Sequence, residues 1–255
     1  MNIIIRRNKG DVSIAAAEHI AALIRKKPAA VLGLATGATP LGTYRDLIQM
    51  HRDGLDFSRV ITFNLDEYIG YRMNLSLPYS KDQSYARFMY EEFFRHINIQ
   101  ESNIHIPDGR ADSPEEECRK YEALISKAGG IDLQLLGIGR TGHWAFNEPG
   151  TPLDSRTHIQ GLSKETLDDN YRLFFHNSGI ARQDMPVCSI TMGVGTILEA
   201  RALLMIATGK RKASVISAAL EGEITNRVTA SAIQLFTGPA TVLLDRGAAS
   251  ALKNR

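Results

Sequence analysis

A histidine and a carboxylate five residues apart, His143 and Glu148, follow a glycine-rich turn in the middle of the chain. The apolar run before the turn, residues 131–136, is typical of a buried strand, and ligands of open α/β sheets bind beyond the carboxyl ends of such strands. A histidine exchanges protons near neutral pH, and a carboxylate can orient it. Alone, His143 is equally explained as a structural histidine. A metal site is the weaker alternative, because no second ligand follows at helical spacing.

The turn itself, Gly137-Ile-Gly-Arg-Thr-Gly142, matches the G-x-G-x-x-G pattern of dinucleotide-binding sites. That pattern also requires a helix at the third glycine and an acidic residue about 20 positions further on, after a second strand. Here Pro149, Gly150 and Pro152 interrupt any helix, and no strand follows. A nicotinamide or flavin site is therefore a minor alternative.

Several residues could bind a phosphate. One set joins a strand to a helix, whose N-terminus favours anions, and consists of Thr36, Gly37, Ala38 and Thr39. Lys212 closes a run of three cations that begins a helix, against the preference of the helix dipole. Arg172, in a long polar segment, could hold a phosphate with two parallel hydrogen bonds. Taken singly, each feature is as well explained by a plain turn or by solvated charge.

Two adjacent carboxylates, Asp66 and Glu67, come just after another strand. A carboxylate in that place could act as a general base, and the alternatives are a helix cap or a surface pair. Considered together, these groups describe one site with an anion cradle, cations, a base and a histidine–glutamate pair. Such a site suits proton transfer on a small phosphorylated molecule.

The elements that must position these groups alternate along the chain. Strands are predicted at residues 2–5, 29–34, 60–64, 103–106, 131–136, 189–192, 202–207 and 240–244. Helices are predicted at residues 12–25, 41–50, 84–94, 114–128, 193–199, 213–220 and 229–235, with Ser113 as an N-cap. Residues 70–83 are expected to be a loop, and residues 143–187 an irregular binding loop or lid. The alternation predicts an α/β fold with a parallel sheet covered on both faces, in one domain over residues 1–255.

Composition narrows the classes of protein. The chain has 255 residues, a net charge of +2 and no long basic run, so neither nucleic acid nor a membrane surface is indicated as a partner. Only two cysteines are present and they form no CxxC pair, so a disulfide framework is not expected. No signal sequence or membrane span is evident, and we expect a cytoplasmic location. Composition leaves monomer and homo-oligomer open.

The combined motifs resemble the glucosamine-6-phosphate deaminase (isomerase) family. In family order, they are Gly33-Leu-Ala-Thr-Gly-Ala-Thr-Pro40, Thr62-Phe-Asn-Leu-Asp-Glu-Tyr68, Gly137-Ile-Gly-Arg-Thr-Gly-His-Trp-Ala-Phe-Asn-Glu-Pro149, Ser155-Arg-Thr157 and Gly193-Val-Gly-Thr196. The second and third motifs separate this family from related sugar-phosphate lactonases. The resemblance implies a modified Rossmann-like three-layer sandwich with a mostly parallel central sheet, and a lid near residues 160–185.

The resemblance also implies a reaction, in which glucosamine 6-phosphate and water give fructose 6-phosphate and ammonia, without metal or organic cofactor. Asp66 is then the base that moves a proton between C2 and C1 of the open-chain sugar. His143, supported by Glu148, opens the pyranose ring. The loop from Thr36 to Thr39, together with Arg172 and Lys212, matches the phosphate-binding positions.

Two residues of the third motif depart from the family pattern. Thr141 stands at a catalytic position where the family commonly has Asp, or in some members Asn. A hydroxyl cannot raise the proton affinity of His143 as a carboxylate would, so galactosamine 6-phosphate is an alternative substrate. Trp144 replaces smaller aliphatic residues, and we expect it to reshape the wall beside the histidine.

Allosteric members of the family carry cationic side chains after the E-P motif and a longer C-terminus. The corresponding segment here has His158, Gln160 and Gly161, and the chain ends at Arg255. We therefore expect no activation by an N-acetylated amino-sugar phosphate.

Two other functions compete with the deaminase. A lactonase of the same fold would not need Asp66 as a C2 base. A non-catalytic sugar-phosphate sensor is suggested only by Thr141, and the presence of Asp66, His143 and Glu148 argues against it.

Overall fold

The computed structural model describes residues 1–71, 73, 83–176 and 178–253. The strands of this part of the chain are β1 (Asn2–Arg6), β2 (Val31–Leu34), β3 (Ile61–Asn64), β4 (Asp66–Tyr68), β5 (Ile104–His105), β6 (Leu133–Leu136), β7 (His158–Gly161), β8 (Cys188–Thr191), β9 (Leu203–Ala207) and β10 (Ala240–Asp245). The α-helices are α1 (Lys9–Lys26), α2 (Leu41–Arg52), α3 (Tyr85–Glu92), α4 (Pro114–Lys127), α5 (Lys164–Asn170), α6 (Val194–Leu198) and α7 (Ala213–Glu221).

Seven strands form a central sheet in the order β1-β10-β9-β6-β2-β3-β5. Every neighbouring pair is parallel, as in the register of Leu32 with Leu133 between β2 and β6. From β2 the chain proceeds outward to β3 and β5, then returns to β6 on the other side of β2 and continues to β9 and β10. The strand order therefore reverses between β2 and β6, where open α/β sheets form their ligand crevice.

Apolar side chains cover both faces of this sheet, because successive strand residues point to opposite sides. On one face Ile20 of α1 and Leu47 of α2 pack with Leu32. On the other face Tyr121 of α4 and Ile216 of α7 belong to the same cluster as Val31. The expected three-layer α/β sandwich is confirmed. Among the helices described, none combines the length and apolar character needed to cross a bilayer.

A second, antiparallel sheet in the order β4-β8-β7 was not expected from the sequence. Leu65 alone separates the end of β3 from the start of β4. With three residues, Asp66–Tyr68, β4 is too short and too polar to show an alternating pattern.

The expectation of irregular structure over residues 143–187 is wrong for the middle of that segment. That segment contains β7, α5, a π-helix (Tyr171–Phe175) and a 3₁₀-helix (Arg182–Asp184). The Ser163 hydroxyl caps α5 by accepting from the Thr166 amide, but seven residues are too few for a clear helical period. The predicted loop at residues 70–83 falls largely on residues 72 and 74–82, which lie outside the described residues.

The other predicted helices agree with the structure to within a few residues. The Ser113 side chain accepts from the Glu116 amide and Pro114 is the first residue of α4, so the predicted N-cap is confirmed. Residues 229–235 are helical but form a 3₁₀-helix (Thr229–Leu235).

Candidate active site

The polar residues singled out by sequence lie at the carboxyl ends of four neighbouring strands. The loop from Thr36 to Thr39 follows β2, Asp66 follows β3, and the glycine turn with His143 follows β6. Lys212 lies in a 3₁₀-helix after β9, and its Nζ donates to the Ile138 carbonyl of the glycine turn at 2.8 Å. Because β9, β6, β2 and β3 are adjacent, their following loops surround one crevice.

The His143 imidazole contacts two of its predicted partners through one nitrogen. Nδ1 lies 2.7 Å from the Thr141 hydroxyl and 3.9 Å from Glu148 Oε2. The hydroxyl can accept from a protonated Nδ1 or donate to an unprotonated one. Thr141 therefore makes the hydrogen bond to the imidazole, and Glu148 acts on the imidazole at longer range through its negative charge. Burial lowers the pKa of His143, opposed by the negative charge of Glu148. The ring is thus neutral near pH 7.

The glycines of the turn let the backbone approach the histidine. A Cβ at position 139 would overlap the His143 imidazole, and the Gly139 amide donates to the His143 carbonyl at 2.8 Å. Gly142 has a φ of +81°, in the region that glycine adopts without steric cost. These glycines therefore serve the packing of the histidine, which agrees with the argument against a dinucleotide fingerprint.

Glu148 is anchored through one carboxylate oxygen only. Oε1 accepts from the Ser163 amide at 3.1 Å and from the Thr166 hydroxyl at the start of α5. Oε2 is buried and has no hydrogen-bond partner among the described residues. A buried acceptor without a partner is costly, so the free oxygen facing Nδ1 of His143 is a functional feature. The anchoring by Ser163 and Thr166 was missed, although their N-cap spacing could have indicated the helix.

The two adjacent carboxylates have different environments. Glu67 accepts from the amides of Tyr68, Tyr85 and Ala86 at 2.8, 3.0 and 2.9 Å, so it caps the first turn of α3. Asp66 is 5% exposed, and burial raises its pKa to about 8. The helix-cap alternative is thus correct for Glu67, whereas burial alone shifts the pKa of Asp66 toward neutral pH.

The small second sheet links Asp66 to the histidine segment. Asp66 pairs with Thr191 of β8, and the Thr191 hydroxyl accepts from the Phe146 amide at 3.0 Å. Phe146 lies between His143 and Glu148 in the chain. This connection holds the carboxylate and the histidine–glutamate pair on one framework, and Thr191 is a further residue that the sequence did not single out.

The loop after β2 has the features of an anion site. The Thr36 hydroxyl is buried without a hydrogen-bond partner among the described residues, and Gly37 has a φ of +133°. Helix α2 begins after Pro40 with no side-chain cap, which leaves amide donors of its first turn for a ligand. Ala38 is exposed, and its carbonyl accepts from the Lys9 ammonium at 3.2 Å.

The two cations predicted for phosphate binding have different surroundings. Lys212 is half-buried beside the glycine turn, and burial lowers the pKa of its ammonium. Arg172 lies in the π-helix with 68% of its side chain exposed, and its Nη1 is 3.9 Å from Asp169 Oδ1. Arg172 therefore stands at the rim of the site, bound to a carboxylate of its own segment.

Trp144 does not form a wall of the site, contrary to expectation. Its side chain is fully buried in the core, and its Nε1 donates to the Met205 sulfur of β9 at 3.4 Å. The residue next to the histidine therefore anchors the turn to the sheet and has no surface for a ligand.

The last two motifs contact each other and support the fold. The Ser155 hydroxyl accepts from the Val194 amide at 3.0 Å, at the start of α6. A Cβ at Gly193 would overlap the carbonyls of Ser155 and Arg156. Glu122 of α4 accepts from the Thr157 amide at 2.8 Å and from the Thr196 hydroxyl at 2.6 Å.

The arrangement combines a buried carboxylate, a neutral histidine with an anchored glutamate and an uncapped helix N-terminus with a cation. Those are the parts for proton transfer on an anionic small molecule. Within the described residues, no group of three or more His, Cys, Asp or Glu side chains is placed to hold a metal ion.

Comparison with known proteins identifies the family. A model of the glucosamine-6-phosphate isomerases/6-phosphogluconolactonase family matches residues 10–242. The chain belongs to this family. The family resemblance indicated by the sequence motifs is thereby confirmed.

Relatives in this family are similar over nearly the whole chain. A glucosamine-6-phosphate deaminase of Thermoanaerobacter pseudethanolicus is 47% identical over 251 residues, which cover 98% of this chain and 94% of that protein. A glucosamine-6-phosphate deaminase of Clostridioides difficile is 45% identical over 253 residues, covering 99% and 97%.

Solved structures agree with the sequence relatives. A monomeric glucosamine-6-phosphate deaminase superposes with a TM-score of 0.90 and 43% identity, over 98% of this chain and 100% of that one. A 6-phosphogluconolactonase from Trypanosoma cruzi superposes with a TM-score of 0.76 at 21% identity, over 99% and 97%. The second likeness concerns the fold alone.

Proposed function

We propose that the chain is a deaminase that converts glucosamine 6-phosphate and water to fructose 6-phosphate and ammonia. The observation that carries the proposal is the pairing of a buried Asp66 with a neutral His143 beside Glu148. The deaminases with 45–47% identity over nearly the whole chain support the same reaction.

His143 opens the sugar ring. The neutral imidazole accepts the proton of the O1 hydroxyl and returns a proton to O5, which releases the aldehyde. The Thr141 hydroxyl fixes the ring through Nδ1, and the negative charge of Glu148 favours the protonated imidazole formed in passing. Glu148 stays in place because its Oε1 is bound to Ser163 and Thr166 at the start of α5.

Asp66 then moves a proton between two carbon atoms. The carboxylate takes the C2 proton while the carbonyl oxygen O1 takes one from solvent, which gives an enol-amine, and the protonated carboxyl then returns a proton to C1. The product is an iminium at C2; water adds to this carbon, and the nitrogen leaves as ammonia with the extra proton, which leaves the ketose. A base whose pKa lies near 8 can both remove and return this proton.

The phosphate is bound at the helix N-terminus after β2. We assign this group to the Thr36–Thr39 loop, with Lys212 from the β9 side and Arg172 from the rim. The unpartnered Thr36 hydroxyl and the uncapped first turn of α2 supply donors, and the half-buried Lys212 supplies charge. The lid that we propose near residues 160–185 includes α5 and the π-helix with Arg172.

Turnover of three compounds tests the proposal. The purified protein is incubated with glucosamine 6-phosphate, galactosamine 6-phosphate and 6-phosphogluconolactone, while ammonia, ketose phosphate and acid release are followed. We expect ammonia and ketose phosphate in equal amounts from the first compound. Hydrolysis of the lactone without product from either amino sugar would support the lactonase instead. A higher rate with galactosamine 6-phosphate would identify that epimer as the substrate.

The reaction also indicates where the protein works. Phosphorylated sugars are intermediates inside cells, and the two cysteines of the described residues, Cys118 and Cys188, are unpaired. We propose the cytoplasm as the location, and one domain over residues 1–255 as the working unit.

A further inference from the structure

Two arginines from different elements contact the carboxylate of Asp169, and a lysine from a third element interacts with it electrostatically. Arg140 Nε of the glycine turn lies 3.4 Å from Oδ2, and Arg172 Nη1 of the π-helix lies 3.9 Å from Oδ1. Lys212, after β9, is the third cation, and Asp169 raises the pKa of its ammonium against the effect of burial. Asp169 itself is half-exposed near the end of α5.

The ion pairs of Asp169 are loose. Distances of 3.4 and 3.9 Å are longer than the charge-assisted hydrogen bonds of arginine to an oxyanion, which measure about 2.7–2.9 Å. The Lys212 ammonium has three donors, and the Ile138 carbonyl is the one hydrogen-bond acceptor found for it among the described residues. The cations are therefore held near one another without being saturated.

We propose that Arg140 is a further phosphate-binding residue and that Asp169 is an internal counter-ion, which competes with the phosphate for Arg140 and Arg172. The inference rests on the proposed function in one respect, namely that the ligand is a phosphorylated sugar. Arg140 belongs to the same turn as His143, three residues before it, and its guanidinium contacts Asp169 at 3.4 Å.

The net charge of the cluster matches the charge of a phosphate only when Asp169 is included. Arg140, Arg172 and Lys212 contribute three positive charges and Asp169 one negative charge, which leaves two to meet a phosphate of about −2. Without Asp169 the cluster would hold phosphate and product more tightly than turnover requires. With it, binding is moderated and the arginines stay positioned when phosphate leaves.

Inorganic phosphate is the probe for this inference. Its dissociation constant is measured by isothermal titration calorimetry at fixed ionic strength, for wild type, Asp169→Asn and Arg140→Gln. We expect Asp169→Asn to tighten phosphate binding about three- to five-fold, the effect of one partly exposed ion-pair charge. Arg140→Gln is expected to weaken it about ten-fold, as for loss of a charge-assisted hydrogen bond.

Matched variants separate this effect from general charge and from unfolding. Glu165→Gln removes an exposed carboxylate of the same helix, and Arg119→Gln removes an exposed arginine of α4. Both should change the dissociation constant less than two-fold. Asp169→Glu keeps the charge and should stay close to wild type. In the Arg140→Gln background, Asp169→Asn should have less effect than in wild type, because one of the contested cations is gone.

The results distinguish failure of this inference from failure of the proposed function. Unchanged or weaker phosphate binding in Asp169→Asn, or wild-type binding in Arg140→Gln, would overturn the inference even if the protein deaminates amino sugars. Phosphate affinities that change as expected would support it even if no ammonia is formed, since the calorimetry requires no turnover.

Discussion

At the scale of single residues, three backbone amides that donate to its side chain distinguish Glu67 from Asp66. Both carboxyls are buried and both have a pKa raised to about 8, but Glu67 is bound by three amides. Sequence alone placed the pair after a strand and could not say which member was a cap. The decision depends on the position of Tyr85 and Ala86, whose amides only the three-dimensional structure brings to Glu67.

The raised pKa of Asp66 has a consequence for stability. A carboxyl whose pKa is higher in the folded than in the unfolded state binds an extra proton on folding, so stability falls as pH rises between about 4 and 8. Asp66→Asn removes that dependence, because the amide is never charged. We expect the two melting temperatures to be closest near pH 4, and that of the variant to be clearly higher at pH 9. A difference that does not vary with pH would contradict this.

Because the Thr141 side chain carries no charge, it does not raise the proton affinity of His143 as a carboxylate at that position would. Replacement by Asp places a negative charge beside Nδ1 and should raise the pKa of His143. Histidine proton resonances, assigned with a His143→Gln variant, would measure the shift. Thr141→Val keeps the shape without the hydrogen bond, and should lower kcat about ten-fold with little change in KM. An unchanged titration in Thr141→Asp would show that the hydroxyl contact at 2.7 Å has no influence on the ring.

At the scale of elements, Glu67 fastens α3 to the second sheet. Its carboxylate accepts from two amides in the first turn of α3 and from the amide of Tyr68. Glu67→Ala leaves those buried donors unpaired and should cost about 3 kcal/mol in the free energy of unfolding. Urea denaturation at about pH 4, below the ordinary glutamate pKa of 4.5, measures this with Glu67 largely uncharged in both the folded and the unfolded state. Glu18→Ala, on an exposed position of α1, serves as the control. A loss for Glu67→Ala no greater than for the control would refute the anchoring role.

The elements predicted from sequence are those with enough residues to show a period. The buried runs of β2, β6, β9 and β10 are apolar on both faces, and α1 and α4 carry clear helical patterns with caps. Strand β8 was predicted as residues 189–192, but β4, β7 and α5 were not predicted, because they are short and polar. Their positions depend on long-range pairing, such as Asp66 with Thr191, which no local pattern records.

At the scale of the whole molecule, the site exists because the strand order reverses between β2 and β6. The site residues, which are spread along the chain from Thr36 to Lys212, come together at the carboxyl ends of the parallel strands. The location of the candidate site followed from that rule and from the family motifs. The charge cluster around Asp169 could not be predicted, because it depends on how α5 lies over the glycine turn.

Control by an effector is a property of the molecule as a whole. The segment corresponding to the cationic one of allosteric family members carries His158 and Gln160, whose side chains are 3.2 Å apart through Nε2 and Oε1. We therefore expect a hyperbolic rate curve that N-acetylglucosamine 6-phosphate leaves unchanged. Initial rates with and without that compound provide the test. A sigmoidal curve that the compound makes hyperbolic would contradict the expectation.

The central claim is that Asp66 is the base of an amino-sugar-phosphate deaminase. The most direct measurement is the rate of ammonia and fructose 6-phosphate formation from glucosamine 6-phosphate by wild type and by Asp66→Asn, with both shown to be folded. We predict equal amounts of the two products from wild type and a loss of about 10²–10⁴-fold in kcat for the variant, as for removal of a general base. Wild-type turnover by Asp66→Asn, or no ammonia from either protein, would contradict the account.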